Sequence, residues 1–222
     1  MTYYLKSAAW FLRGYYNFTH SGFIRSSQHF NPVNEISTKG LSFMVTGGST
    51  GIGRNVALQL AKRPGTTVHI VCKNSQNGKE AIEFIRNDCH ETSELCLHLV
   101  DLSEPTEVIN FARQIVENKI KINILINNAG ILNNDAQLTT QGYERSFSLN
   151  VLGTYLLTVS LAPHILKWSK TVCYPRIITV SSGGMLTEPL NTDCYTYGKN
   201  HFDGVSAYAQ HKRQQLVFMD VL

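Results

Sequence analysis

The chain has 222 residues, 43% of them hydrophobic and 16% charged, which suits one globular domain with a sizeable core and excludes a disordered chain. A net charge of +4, with the basic residues dispersed, excludes a nucleic-acid groove. Five cysteines (Cys72, Cys89, Cys96, Cys173, Cys194) without a C-x-x-C pair point to free thiols in a reducing compartment, with no metal cluster.

Residues 1–38 form an aromatic and basic N-terminal extension. Tyr3, Tyr4, Trp10, Phe11, Tyr15, Tyr16, Phe18, Phe23 and Phe30 crowd it, and Lys6, Arg13 and Arg25 face one acid, Glu35. From Leu5 to Tyr16 the apolar residues recur at helical spacing around much of the circumference. Three readings stay open: a helix packed on the domain, a helix lying on a membrane surface, or a targeting peptide poor in acids. Asn17-Phe18-Thr19 matches a glycosylation triplet and is read as chance. No apolar run is expected to span a bilayer. Pro32 and Thr38-Lys39-Gly40 mark the linker into a second unit, residues 39–222.

That unit begins with an apolar strand, Leu41 to Val45, followed by Thr46-Gly47-Gly48-Ser49-Thr50-Gly51-Ile52-Gly53 and a helix through Lys62. A strand, a glycine-rich turn and a helix in this order form the start of a dinucleotide-binding unit. Gly47 permits the tight turn, Gly51 lets backbone approach a pyrophosphate, and Gly53 allows close helix packing. The helix N-terminus offers unpaired N–H groups and a positive dipole end to the phosphates. A second strand over 67–72, a helix over 76–89 with Ala81, Ile82 and Ile85 inward, and a third strand over 95–100 follow. Ser103 is read as the cap of the next helix, with Pro105 in its first turn and Val108, Phe111, Ala112, Ile115 and Val116 on one face. A fourth strand over 122–126 enters Asn127-Asn128-Ala129-Gly130. A long helix over 142–168, a fifth strand over 176–180, a loop over 183–205 and a last helix from about 206 complete the order. Alternating strands and helices with continuous apolar strands predict an α/β fold, a Rossmann-type doubly wound parallel sheet covered on both faces.

From about residue 40 onward the chain resembles the short-chain dehydrogenase/reductases. The resemblance rests on Thr46 to Gly53, Asp101-Leu102, Asn127 to Gly130, Asn150, Val180-Ser181-Ser182 and Tyr208-Ala-Gln-His-Lys212, all in the family's order. It implies a cofactor site made by Gly47, Ser49, Thr50, Gly51, Ile52, Gly53, Lys73, Asp101, Leu102, Asn127, Asn128, Ala129, Gly130, Tyr208 and Lys212. It also implies a catalytic set of Asn150, Ser182, Tyr208 and Lys212, in which Asn150 positions a water near the lysine.

The residues support the same chemistry. Tyr208 and Lys212 lie one helical turn apart, and an ammonium near a phenol is expected to lower its pKa from about 10 by roughly 1–3 units. Such a phenol can exchange a proton with a substrate oxygen, while a strand-end hydroxyl at Ser182 holds that oxygen. The second strand ends in Val71-Cys72-Lys73-Asn74 with no acid, so Lys73 is assigned to a 2′-phosphate and NADP(H) is favoured over NAD(H). Asp101 is expected to accept the adenine amino group with Leu102 beside the ring, and Asn127 through Gly130 to flank the adenosine half.

The resulting expectation is an oxidoreductase interconverting a carbonyl and an alcohol on a lipophilic small molecule. Its compartment is read as intracellular and reducing, either cytoplasmic or membrane-associated through residues 1–30, with the mitochondrion also open. The chain stops ten residues after Lys212. Family members normally continue, so an incomplete C-terminal edge and a marginally folded, aggregation-prone chain are expected. That expectation keeps a second reading, a non-catalytic nucleotide-binding or interaction protein.

Overall fold

The computed structural model describes residues 2–30, 37–169, 175–192 and 202–222. Pro32, Glu35, Cys173, Cys194 and residues 193–201 of the expected loop lie outside the described residues. Two helices come first, α1 (Thr2–Phe18) and α2 (His20–Ser27). Five strands follow: β1 (Ser42–Thr46), β2 (Thr67–Cys72), β3 (Glu94–Leu99), β4 (Ile124–Asn127) and β5 (Arg176–Thr179). The crossovers are α3 (Gly51–Ala61), α4 (Ser75–Arg86), α5 (Pro105–Glu117) and a long helical run. That run comprises α6 (Arg145–Phe147), a π-helical turn (Ser148–Gly153) and α7 (Thr154–Ser169), and α8 (Gly204–Val221) closes the chain.

The strands form one parallel sheet in the order β3-β2-β1-β4-β5, the expected doubly wound architecture. Successive crossovers go opposite ways from β1, so the crevice between the carboxyl ends of β1 and β4 is the place where such sheets bind ligands. Alternate residues of β1 feed two cores. Met44 joins Leu125, Val108, Phe111, Ile115, Leu157 and Leu161 under α5 and α7. Val45 joins Ala57, Leu58, Val68, Ile70, Ile85 and Ile126 under α3 and α4. The sheet is covered on both faces only at its centre. Side chains of β3 and β5 are partly or fully exposed, because each is an edge of the described sheet.

Several sequence expectations shift on contact with tertiary packing. Ser103 does not cap α5: Glu104 is the capping residue, and the Ser103 hydroxyl donates to Asp101 instead. Val116 is exposed, and the buried face of α3 is Gly53, Ala57, Leu58 and Ala61, while Ile52 faces out. The long helix starts at Arg145, where Glu144 accepts the N–H groups of Ser146 and Phe147. The last helix starts at Gly204 because Asp203 accepts the N–H of Val205. Within the expected 183–205 loop, Gly183–Leu186 forms a 3₁₀ turn. Arg145–Trp168 is long and apolar enough to cross a membrane, contrary to the expectation that no run is, yet Leu157, Leu161 and Ile165 lie in the core.

Candidate active site

The phosphate loop takes its shape from backbone requirements at three glycines. Gly47 has φ of +63° and Gly51 of +52°, a region in which side chains are strained. A Cβ on Gly53 would lie 2.2 Å from the Gly47 carbonyl oxygen, so the packing glycine seals the turn itself rather than the strand. Thr46 is the anchor that sequence reasoning passed over. Its hydroxyl accepts the N–H groups of both Asn128 and Ala129 at 3.0 Å, and the Asn128 amide donates back to the Thr46 carbonyl at 3.0 Å. The loop is thereby fixed to the end of β4. Thr50 precedes α3 without a side-chain cap, and nothing lies within 4 Å of where a Gly51 Cβ would be. The open space and uncapped helix start fit a dinucleotide pyrophosphate, with Ser49, Thr50, Gly51 and Ile52 as the surface that would meet it.

At the end of β2 the structure pairs the two residues assigned separately to the cofactor. Lys73 Nζ lies 2.6 Å from Asp101 Oδ2, and Arg145 Nη2 lies 3.1 Å from the same oxygen. Asp101 Oδ1 accepts the Ser103 N–H at 3.0 Å and its hydroxyl at 2.6 Å. Burial pushes the Asp101 carboxyl up, but the Lys73 and Ser103 hydrogen bonds outweigh it and hold the group below its ordinary value. Both carboxylate oxygens are therefore engaged, so an adenine amino group at Asp101 would share oxygens that already serve Lys73, Arg145 and Ser103. Lys73 is likewise an ion-pair partner here, still half exposed. Leu102 is 5% exposed and packs in the core. Arg145 is 44 positions from Asp101 and had no signal in the sequence.

The Asn127 to Gly130 segment divides by role. Asn127 is buried, and its amide donates to the Thr158 hydroxyl at 2.9 Å, tying β4 to α7 rather than facing an adenosine. Asn128 and Ala129 hold the phosphate loop as above. Gly130 comes closest to the catalytic set: a Cβ there would lie 3.4 Å from Lys212 Nζ and 3.5 Å from Asn150 Oδ1.

Asn150, Ser182, Tyr208 and Lys212 are brought together by the π turn, the end of β5 and α8. Asn150 is fully buried, accepting the Ile131 N–H at 2.9 Å and donating to the Ile131 carbonyl at 2.8 Å. A π turn at this residue fits the tendency of such turns to mark functional positions. Gln215, three positions beyond Lys212 and 1% exposed, donates to the Asn150 carbonyl. Its helical spacing from Lys212 was a legible signal that went unread. Ser182 accepts the Gly184 N–H at 3.2 Å as a strand-end cap, and its hydroxyl also hydrogen-bonds Tyr208. Ser181 instead donates to the Met185 sulfur.

Lys212 is 2% exposed, and its ammonium donates to the Val180 carbonyl at 2.9 Å. Burial brings that ammonium down to about 8. It stands 5.6 Å from the Tyr208 ring centroid. Burial also pushes the Tyr208 phenol above its ordinary value, with the Ser182 hydrogen bond opposing. The expected lowering of the tyrosine by the lysine is thus corrected in direction. The lysine is directed to a carbonyl, and desolvation penalises the charged form of both groups. The arrangement holds a protonated phenol and a hydroxyl side by side at the rim of the crevice.

The short chain dehydrogenase family model matches residues 42–216. Over 217 residues the chain is 43% identical to Dehydrogenase/reductase SDR family member 12 of Bos taurus, a match covering 97% of this chain and 66% of that protein. It is also similar to Retinol dehydrogenase 12 of Mus musculus, 31% identical over 186 residues, covering 84% of this chain and 57% of the other. Among solved structures, the Pseudomonas aeruginosa RhlG/NADP active-site complex superposes with a TM-score of 0.62 at 22% identity, covering 82% of this chain and 66% of that one. The chain thus spans just under two thirds of the length of the first relative.

Proposed function

This chain belongs to the short chain dehydrogenase family, and from that premise we propose that it is an NADP(H)-dependent oxidoreductase interconverting a carbonyl and an alcohol. The observation that carries the proposal is the placement of Lys212 and Asn150 beside Gly130 and of Ser182 in hydrogen bond with Tyr208 on the same helix as Lys212, together with an uncapped helix start at the glycine-rich loop. The glycine-rich loop would hold a dihydronicotinamide dinucleotide, whose chemistry when bound would be hydride donation. Tyr208 gives its proton to the carbonyl oxygen, and Ser182 steadies that oxygen as charge gathers on it. Lys212, one turn along α8, returns a proton towards the phenolate, and its value of about 8 makes it a ready donor near neutrality. Burial, which raises the phenol above its ordinary value, keeps Tyr208 protonated near neutrality, the form that can donate.

A lipophilic substrate is supported by the name of the retinol dehydrogenase relative and by the apolar surface of the first two helices. Phe11, Leu12, Tyr15, Tyr16, Phe18 and Phe23 are each more than half exposed, a surface suited to a lipid interface. Co-sedimentation with phospholipid vesicles checks the membrane part, and a chain left wholly in the supernatant would contradict it. NADP(H) is supported by Lys73 at the end of β2 and by the absence of an acid there.

Titration with NADPH and with NADH, followed by nicotinamide fluorescence, tests the cofactor reading. NADPH is expected to bind about tenfold more tightly, roughly 1.4 kcal/mol. Equal affinities would remove Lys73 from its role. A nucleotide-binding protein without turnover would instead show tight binding with no carbonyl reduction.

A further inference from the structure

We infer that the first helix supplies a wall of the substrate site, with Phe18 a specificity-determining residue for the apolar chain of a carbonyl substrate. The inference rests on the placement of substrate beside Ser182 and Tyr208 given above. It starts from the 3₁₀ turn that follows the candidate catalytic serine. Trp10 Nε1–H donates to the Gly183 carbonyl at 2.9 Å, across 173 positions of chain. From the other side, Arg213 of α8 donates to the Met185 carbonyl at 3.1 Å. The turn is therefore held between α1 and the helix that carries Tyr208 and Lys212.

A pocket of about 360 Å³ opens between the end of α1 and this turn, lined by Phe18, Ser181, Ser182, Gly183, Met185 and Leu186. Three of these are apolar side chains, and the polar member whose hydroxyl meets Tyr208 stands at the reacting end. The Phe18 ring is 71% exposed and comes within about 4 Å of the Gly183 position. A ring of this size left bare beside a catalytic hydroxyl is surface that an apolar ligand would cover, at a gain of about 25 cal/mol per Å². A carbonyl at Ser182 and Tyr208 would direct an attached hydrocarbon chain along Met185 and Leu186 towards Phe18. The pocket thus selects long-chain carbonyl compounds over short ones, and the N-terminal segment becomes part of the site.

The test uses the full chain in a Trp168→Phe background, which leaves Trp10 as its one indole. Decanal and propanal are titrated against Trp10 fluorescence with and without NADPH, and the same series is run on Phe18→Ala. Saturable quenching by decanal at least tenfold tighter than by propanal is expected, with Phe18→Ala weakening decanal about tenfold and leaving NADPH affinity unchanged. Phe18→Leu, which keeps an apolar wall, should restore most of the decanal affinity. Equal decanal affinity in the wild type and Phe18→Ala, or no preference for the longer aldehyde, overturns the inference. Decanal binding that depends on Phe18 without any NADPH oxidation would instead leave the pocket standing and bring down the proposed activity.

Discussion

Asp101 sits at a junction where three positively charged or hydroxyl side chains meet one carboxylate, and that junction bears on the proposed cofactor preference. Its negative charge holds Lys73 at 2.6 Å and would repel a 2′-phosphate approaching the same lysine. Arg145 on the same oxygen can keep the carboxylate paired when Lys73 turns away, although an exposed lysine adds little stability by this pairing. Asp101→Asn is therefore expected to strengthen NADPH binding several-fold relative to NADH, and Lys73→Ala to abolish the preference. If Asp101 instead held an adenine amino group, Asp101→Asn would weaken both cofactors alike. Nicotinamide fluorescence on the two variants separates these outcomes. The residue types of this junction were legible, since Lys73 and Asp101 both stood out in the sequence. Their bond was not, because β2 and β3 neighbour each other only once the sheet forms. The burial of Leu102 was hidden for a related reason: spacing located it beside the motif acid but could not tell which way its side chain turns.

Among the elements, the phosphate loop was the most legible, because its glycines answer requirements of backbone geometry that no other residue meets. Gly53 makes the point testable. Alanine in a helix is normally worth roughly 0.5–1 kcal/mol over glycine. Here a Cβ would lie 2.2 Å from the Gly47 carbonyl oxygen, so the sign should invert. Gly53→Ala is expected to lower the melting temperature by several degrees and weaken NADPH binding at least tenfold, as read by thermal melts and titration. A raised melting temperature would show that the loop has room the structure lacks. The strands and crossover helices were equally plain from apolar periodicity. Their ends were not. Glu144 and Asp203 set helix starts by accepting backbone N–H groups, which depends on how each loop enters, while α5 starts after Glu104 without a side-chain cap where sequence spacing had pointed to Ser103. The π turn at Asn150 was also hidden. The apolar pattern runs through it unbroken, while the asparagine side chain pairs with Ile131, a strand-end loop away.

Across the whole molecule, two buried histidines make stability depend on pH. His69 Nδ1 faces His98 Nε2 at 2.9 Å and its other nitrogen faces the Ser42 hydroxyl, so a proton on it has no buried partner charge. Burial first, then the charge of His98, lowers His69 to about 4, and burial with Lys212 lowers His211 to about 4. In the unfolded chain both titrate near 6.5, so between pH 6.5 and 4 the unfolded state binds more protons. Stability is full above this window and falls as pH drops through it, by roughly 3 kcal/mol at most for each residue. Thermal melts from pH 7 to pH 4 should show a falling melting temperature, less steep in His69→Gln, and a flat profile would contradict the buried neutral pair. The doubly wound parallel sheet followed from the alternation of strands and helices. The docking of α1 on the Ser182 turn did not, because an aromatic stripe at helical spacing does not name the surface it meets. Tyr208 is the proposed proton donor for carbonyl reduction. The most direct measurement compares NADPH oxidation by decanal, at saturating cofactor, in the wild type and in Tyr208→Phe. Phenylalanine keeps the ring and removes only the proton, so turnover should fall by a factor on the order of 10²–10⁴ while NADPH affinity changes less than about twofold. Retained turnover in Tyr208→Phe would contradict the account.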